Sequence, residues 1–173
     1  MSFSSDVKKE LCKISCFDRE TLKAELYGML LFGKTFGADK IVFTTESSYA
    51  AKRVSFLLEN LYMPIIERQS ALRARSGDSC LYKIIVMDSG DCRRIFEDFG
   101  HSGSQVTLRV NRANLPTDEV TAAFIRGVFL SCGSVSDPMR AITRSFAFRT
   151  KTLAWICAKY SPRSPSASLP LKQ

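Results

Sequence analysis

The sequence predicts an α+β fold in which helices pack on a small, mostly antiparallel sheet. Three observations carry this expectation. Helical and strand-like periodicities run helix, helix, strand, helix, strand, strand, helix over the first 100 residues. The two consecutive strand-like segments flank Ser76-Gly77-Asp78-Ser79, a turn sequence that suits a hairpin. The composition, 45% hydrophobic and 24% charged over 173 residues, is that of a chain able to bury one core.

Val7, Leu11 and Ile14 recur at helical spacing after Ser4 and Ser5 and predict a short opening helix. Thr21 is the expected cap of a second helix reaching about Phe32. From Leu26 that helix is apolar nearly all round, which implies burial on two sides. Ile41 to Thr45 is β-branched and aromatic and reads as a strand. Ser47 then caps a helix whose Ala50, Ala51, Val54, Leu57, Leu58 and Leu61 form one stripe, and Pro64 stops it. Ile65 to about Ala71 and Leu81 to Met87 are the hairpin strands. In the second, Tyr82, Ile84 and Val86 face one way and Leu81, Lys83 and Ile85 the other. Asp88 or Ser89 caps the next helix, with a stripe of Cys92, Ile95, Phe96 and Phe99 ended by Gly100. Residues 100–116 read as a connector around one strand, Val106 to Val110. Thr117 caps a last helix to about Ser131, its first turn carrying Asp118 and Glu119 at the positive end of the helix dipole.

Charge and special residues exclude several classes of function. The net charge of +8 is unevenly spread: residues 1–137 hold 18 Lys/Arg and all 17 Asp/Glu, whereas residues 138–173 hold seven Lys/Arg and no acid. Phosphate attraction therefore does not follow for the folded body, and the high overall basicity belongs to the tail. The six cysteines (Cys12, Cys16, Cys80, Cys92, Cys132, Cys157) form no pair of C-x-x-C units, so a structural zinc site is not expected and no cofactor is. They read as buried or partly exposed thiols. His101, the single histidine, has no triad context around it. The longest apolar run, Leu26 to Phe32, is far too short to cross a bilayer, and Asp6 and Glu10 interrupt any signal-like segment. A soluble cytoplasmic protein is expected.

The most informative feature is an internal repeat. AELYGMLLFGKTF from Ala24 matches AFIRGVFLSCGSV from Ala123, residue class by residue class, 99 positions later. Gly28 and Gly127 fall at the same place in both copies. Glycine inside a helix costs about 1 kcal/mol relative to alanine, so two at equivalent positions call for a reason. Close approach of two helix backbones around a local two-fold supplies it.

This paired element resembles the signature helices of LAGLIDADG homing endonucleases. The stretches MSFSSDVKKEL, IVFTTES, LLENLY and AFIRGVFLSCGSVSDP together resemble the N-terminal domain of the WhiA family of bacterial regulators, over residues 1 to about 138. The resemblance implies a LAGLIDADG-like fold, here with a first αβ half, the second signature helix and an incomplete second half. It places Ala24, Gly28, Gly33, Ala123, Gly127 and Gly133 on the signature-helix interface. It further implies a DNA-associated, cytoplasmic or nucleoid-associated role in transcription control linked to sporulation and cell division, with a helix-turn-helix following.

In LAGLIDADG nucleases the penultimate motif position of each helix is an acid that holds divalent metal. With Leu26 and Ile125 at the first motif position, Gly33 and Cys132 occupy the acidic one. Neither is a ligand for magnesium, and Asp39 and Asp137 fall beyond the helix ends, so a non-enzyme with no catalytic or metal residues is expected. A divergent metal-dependent endonuclease and a protein-interaction module are the alternatives. Arg68, Arg73, Arg75 and Lys83, on or near the hairpin, are the candidates for weak contact with DNA phosphates. Residues 1–137 read as the domain and 138–173 as a basic tail, disordered or frame-shifted, with no complete helix-turn-helix. The last helix, lacking a second sheet over it, is expected to show large apolar side chains to water and to favour self-association, and a partner protein is an open alternative.

Overall fold

The computed structural model of the chain describes residues 3–15, 18–72, 80–103, 108–135 and 144–146, the last three by their backbone. Arg73, Arg75, the hairpin turn, Val106, Asp137 and most of 138–173 lie outside the described residues.

Helix α1 (Phe3–Cys12) opens the chain and α2 (Arg19–Leu31) follows. The cap of α2 is Asp18, not Thr21: its carboxylate accepts the Thr21 N–H at 2.9 Å and the Thr21 hydroxyl at 2.9 Å. A carboxylate is the stronger acceptor at the positive end of a helix, and threonine serves here as its donor. Seven consecutive residues, Ala24 to Leu30, are buried, because α2 lies between α5 (Asp118–Cys132) on one side and α3 (Ser48–Leu61) with the sheet on the other. Ser47 caps α3 by accepting Ala50 N–H at 3.3 Å, and Thr117 caps α5 by accepting Val120 N–H at 3.3 Å.

The main sheet runs β1 (Thr35–Phe36), β2 (Ile41–Thr45), β4 (Cys80–Val86), β3 (Ile66–Leu72), all antiparallel. Ile41, Phe43, Ile84 and Val86 enter one core with Leu57, Leu58, Ile95, Phe96 and Phe99, so α3 and α4 (Ser89–Asp98) cover one face. β1 has no counterpart among the strands the sequence predicts, since two residues show no alternation. After α5 the chain starts a second, two-stranded antiparallel sheet, β5 (Gly133–Val135) with β6 (Arg144–Phe146), also unforeseen. β5 follows α5 as β1 follows α2, so the internal repeat extends beyond its helices.

The connector differs from expectation. Residues 108–110 are not in a strand; a 3-10 turn at Arg112–Asn114 docks instead on the end of α4, where Asn111 and Asn114 side-chain amides both donate to Phe99 O, at 3.1 and 2.9 Å. Gly100 permits this with φ of +74°, and a Cβ there would meet Asn111 Nδ2 at 2.2 Å.

The exposure expected of α5 is not seen. Phe124, Val128 and Leu130 are buried and Ile125 and Phe129 are partly covered, with α2, α1 and β5 all in contact with the helix. Among the described residues the exposed large apolar side chains lie elsewhere: Met63, Ile65, Leu72 and Met87 around the hairpin, Phe3 and Ile14 in and just after α1, and Tyr49 and Phe56 on α3.

Candidate functional site

The seam between α2 and α5 is the most extensive contact between any two described elements. At its centre, a Cβ on Gly28 would lie 2.2 Å from Phe124 O and 2.9 Å from Val128 N, and a Cβ on Gly127 would lie 2.0 Å from Glu25 O and 3.1 Å from Met29 N. These neighbours map onto one another by the same offset of 99 residues that relates the glycines. The backbones therefore touch around a pseudo-two-fold, each glycine Cα–H against a carbonyl of the opposite helix. Ala24 and Ala123 are buried one turn earlier in each helix.

Gly33 and Gly133 answer to different constraints. The nearest atoms to a Cβ at Gly33 belong to Leu30, Met29 and Phe43, and at Gly133 to Phe129, a residue of its own helix. Both are helix-end glycines needed by local geometry, so their place in the motif does not put them in the backbone-to-backbone contact. At the two positions where a nuclease carries carboxylates, Gly33 has no side chain and the Cys132 thiol donates to Val128 O at 3.4 Å, folded back on its own helix. Asp39 is exposed between β1 and β2. Among the described residues no group of three or more His, Cys, Asp or Glu side chains is disposed to hold a metal ion.

Flanking the seam is an ion cluster that sequence reasoning missed. Glu25 is fully buried; Arg53 of α3 approaches it through Nε at 2.8 Å and a terminal nitrogen at 2.8 Å, and Arg126 of α5 reaches it at 2.7 Å. The two-fold partners of Glu25 and Arg126 are Phe124 and Tyr27, whose rings meet with centroids 5.5 Å apart. One side of the seam is thus ionic and the other aromatic, which fixes the helices in one arrangement where two identical copies would allow exchange. Glu25 gave one usable signal: it is an acid in the middle of an apolar helix.

On the aromatic side, Tyr27 stacks on Phe99 at 4.7 Å, and its hydroxyl accepts Asn111 N–H at 2.8 Å and lies 3.0 Å from His101 Nε2. Burial pushes the Tyr27 hydroxyl up to about 12, so it stays protonated. His101 is buried against Phe36 and Phe96 as part of this structural network. Replacing Tyr27 by phenylalanine leaves the part-buried Asn111 N–H without its acceptor; the expected cost is about 1–3 kcal/mol in urea-induced unfolding at unchanged m-value. Cys12, next to the ion cluster, has its thiol pushed up to about 11 by burial and is not a thiolate at neutral pH.

The candidate DNA-contacting residues do not share a face. Phe43, Ile84 and Arg68 are aligned across β2, β4 and β3, so Arg68 points to the helix side, where it donates to Ser55 Oγ at 3.3 Å and pairs with Glu59. Lys83 is one residue away on β4, hence on the outer face, aligned with Gln69 and Thr44. Glu67 stands two residues from Gln69 on that same face and accepts from its amide at 2.7 Å. The described part of the outer sheet thus carries one lysine beside one glutamate, not a run of arginines.

No protein-family model matches the chain. Among curated proteins it is 30% identical over 143 residues to the probable cell division protein WhiA of Ruminiclostridium cellulolyticum, covering 80% of this chain and 46% of the relative. It is 25% identical over 166 residues to the probable cell division protein WhiA of Clostridium botulinum, covering 89% of this chain and 52% of the relative. The chain spans about half the length of the curated relatives it matches. The second alignment covers more than residues 1–137 can supply, so likeness continues into the basic tail. The crystal structure of the N-terminal LAGLIDADG domain of WhiA superposes with a TM-score of 0.62 at 19% identity, over 91% of this chain and 73% of that one, which establishes the fold. The glycine seam, the sheet order and these relatives agree: over about 80% of its length the chain is a homologue of the WhiA proteins, and its described residues carry the LAGLIDADG-like fold of their N-terminal domain.

Proposed function

We propose that this protein is a non-catalytic regulator of the WhiA type, acting in the cytoplasm on transcription linked to cell division and sporulation, with its LAGLIDADG-like body serving as a scaffold. The observation that carries the non-catalytic part is the occupancy of the two helix-end positions by Gly33 and Cys132. Phosphodiester cleavage by this fold needs hard oxygen ligands there for magnesium. A missing side chain and a thiol turned back on Val128 O do not supply them.

The regulatory part rests on the family, whose members matched here are named cell division proteins. Any grip of the described body on DNA is weak, in keeping with Arg68 being committed to Glu59 and Lys83 standing near Glu67. Incubating the full chain with duplex DNA and magnesium or manganese tests the reading. No cleavage above the metal-only control is expected; reproducible cutting abolished by EDTA would overturn it. In the same assay series, DNA affinity followed against salt should show that whatever binding exists is lost when residues 138–173 are removed.

A further inference from the structure

The two edges of the main sheet are finished differently. β1 is two residues long and lies beside α2, which leaves little free backbone. β3 at the other edge runs seven residues, Ile66–Leu72, and no strand among the described residues lies beyond it. Its register with β4 is constant from Ile66↔Val86 to Leu72↔Cys80, so no bulge turns the edge away. The strand holds no proline and no lysine, the residues that commonly blunt such an edge. Arg68, its one cation, is engaged by Glu59 on the helix side.

Hydrogen-bond direction shows which groups the edge offers. Met87 N–H donates to Ile65 O at 3.0 Å, so Ile65 and every second residue after it, Glu67, Gln69 and Ala71, turn their backbone groups toward β4. Ile66, Arg68, Ser70 and Leu72 therefore present N–H and C=O outward. An antiparallel copy of the same strand answers these groups, and side-chain charge selects the register. A two-fold at Glu67 or at Arg68 sets like charges directly opposite each other, which disfavours both. A two-fold at Gln69 pairs Ile66 with the second copy's Leu72 and Arg68 with its Ser70, with no like charges opposed. Every outward-facing residue then exchanges both its backbone bonds, and Leu72, exposed in the single chain, gains an apolar partner.

We propose that the chain forms a symmetric homodimer through β3, two copies of that strand pairing antiparallel about Gln69 so that their sheets join into one. The paired edges use each other up, and the short β1 edge offers a third copy nothing comparable, so assembly closes at two. An unrelated extended peptide would meet the same backbone groups. The second copy is favoured because the strand's own side chains meet without conflict in a register that its backbone groups also satisfy. Self-association is thereby placed on the sheet edge and not on α5, whose Phe124, Val128 and Leu130 are covered. The interface uses neither the glycine seam nor Gly33 and Cys132, so it stands or falls separately from the non-catalytic reading.

Sedimentation velocity of the full chain, from micromolar to millimolar concentration, is the test. A reversible rise in mass from one chain to two, levelling at two, is expected. Ser70→Pro removes an outward N–H while leaving the β3–β4 ladder intact, and should weaken dimerisation about tenfold or more, since symmetry loses that bond twice. Gln69→Lys and Gln69→Glu each set like charges opposite at the two-fold and should weaken it about 3- to 10-fold. An equimolar mixture of the two should associate at least as well as wild type, because opposite charges then meet. Gln69 and Ser70 are exposed, so the variants should keep the wild-type circular dichroism spectrum. Should Ser70→Pro fail to fold, the Gln69 variants decide alone. A wild-type chain that stays monomeric throughout, a mass that grows past two, or a dimer indifferent to Ser70→Pro or to charge at residue 69 would overturn the proposal. A mixture no tighter than either Gln69 variant by itself would overturn the two-fold at that residue.

Discussion

Gly127→Ala is expected to destabilise the protein by about 3 kcal/mol or more, or to prevent folding, although helix propensity alone would make it stabilising by about 1 kcal/mol. The two effects have opposite signs, so the measurement decides between them without calibration. A Cβ at residue 127 falls 2.0 Å from Glu25 O, and a backbone oxygen in the middle of a packed helix cannot step aside as a flexible side chain can. The helices must separate, and every contact along the seam loosens with them. Gly28→Ala should behave alike, since its Cβ meets Phe124 O. Gly103, with nothing within 4 Å, is the control, and alanine there should change stability by less than about 0.5 kcal/mol in the same denaturant titrations.

Glu25→Leu is expected to cost about 3–5 kcal/mol, because it leaves the guanidinium groups of Arg53 and Arg126 largely buried without their shared anion. The size of this effect measures the penalty of an unpaired charge, not the net worth of the cluster. Combining Glu25→Leu with Arg53→Met and Arg126→Met should therefore recover much of the loss, since a well-packed apolar set no longer has a charge to desolvate. A triple variant as unstable as Glu25→Leu would mean that the cost comes from packing. The three sites are in contact, so additivity is not expected, and thermal unfolding of all intermediate variants is needed to apportion it.

How much of this was legible in the sequence depended on the range of the signal. α3 could be read entire, because a serine cap and a six-residue apolar stripe are local. β2 was equally plain from five β-branched and aromatic residues. The glycine seam was readable only because it is repeated: Gly28 by itself is a helix defect, and Gly127 at the same place makes it a contact. What escaped was set by distant partners. The role of Glu25 depends on Arg53 and Arg126, 28 and 101 residues away. The face of Arg68 depends on its register with Ile84, which fixes it on the helix side whatever its own charge suggests. Short strands such as β1 and β5 leave no periodic trace, and their existence follows from what precedes them in each half of the repeat.

The fold turns on the direct meeting of two helix backbones. Nuclear Overhauser spectroscopy of the labelled full chain reads that meeting without any mutation. Cross-peaks are expected from Gly28 Hα to Phe124 and Val128, and from Gly127 Hα to Glu25 and Met29, two sets related by the 99-residue offset. A folded protein in which either set is missing would contradict the seam and, with it, the two-fold arrangement on which the reading of Gly33 and Cys132 depends.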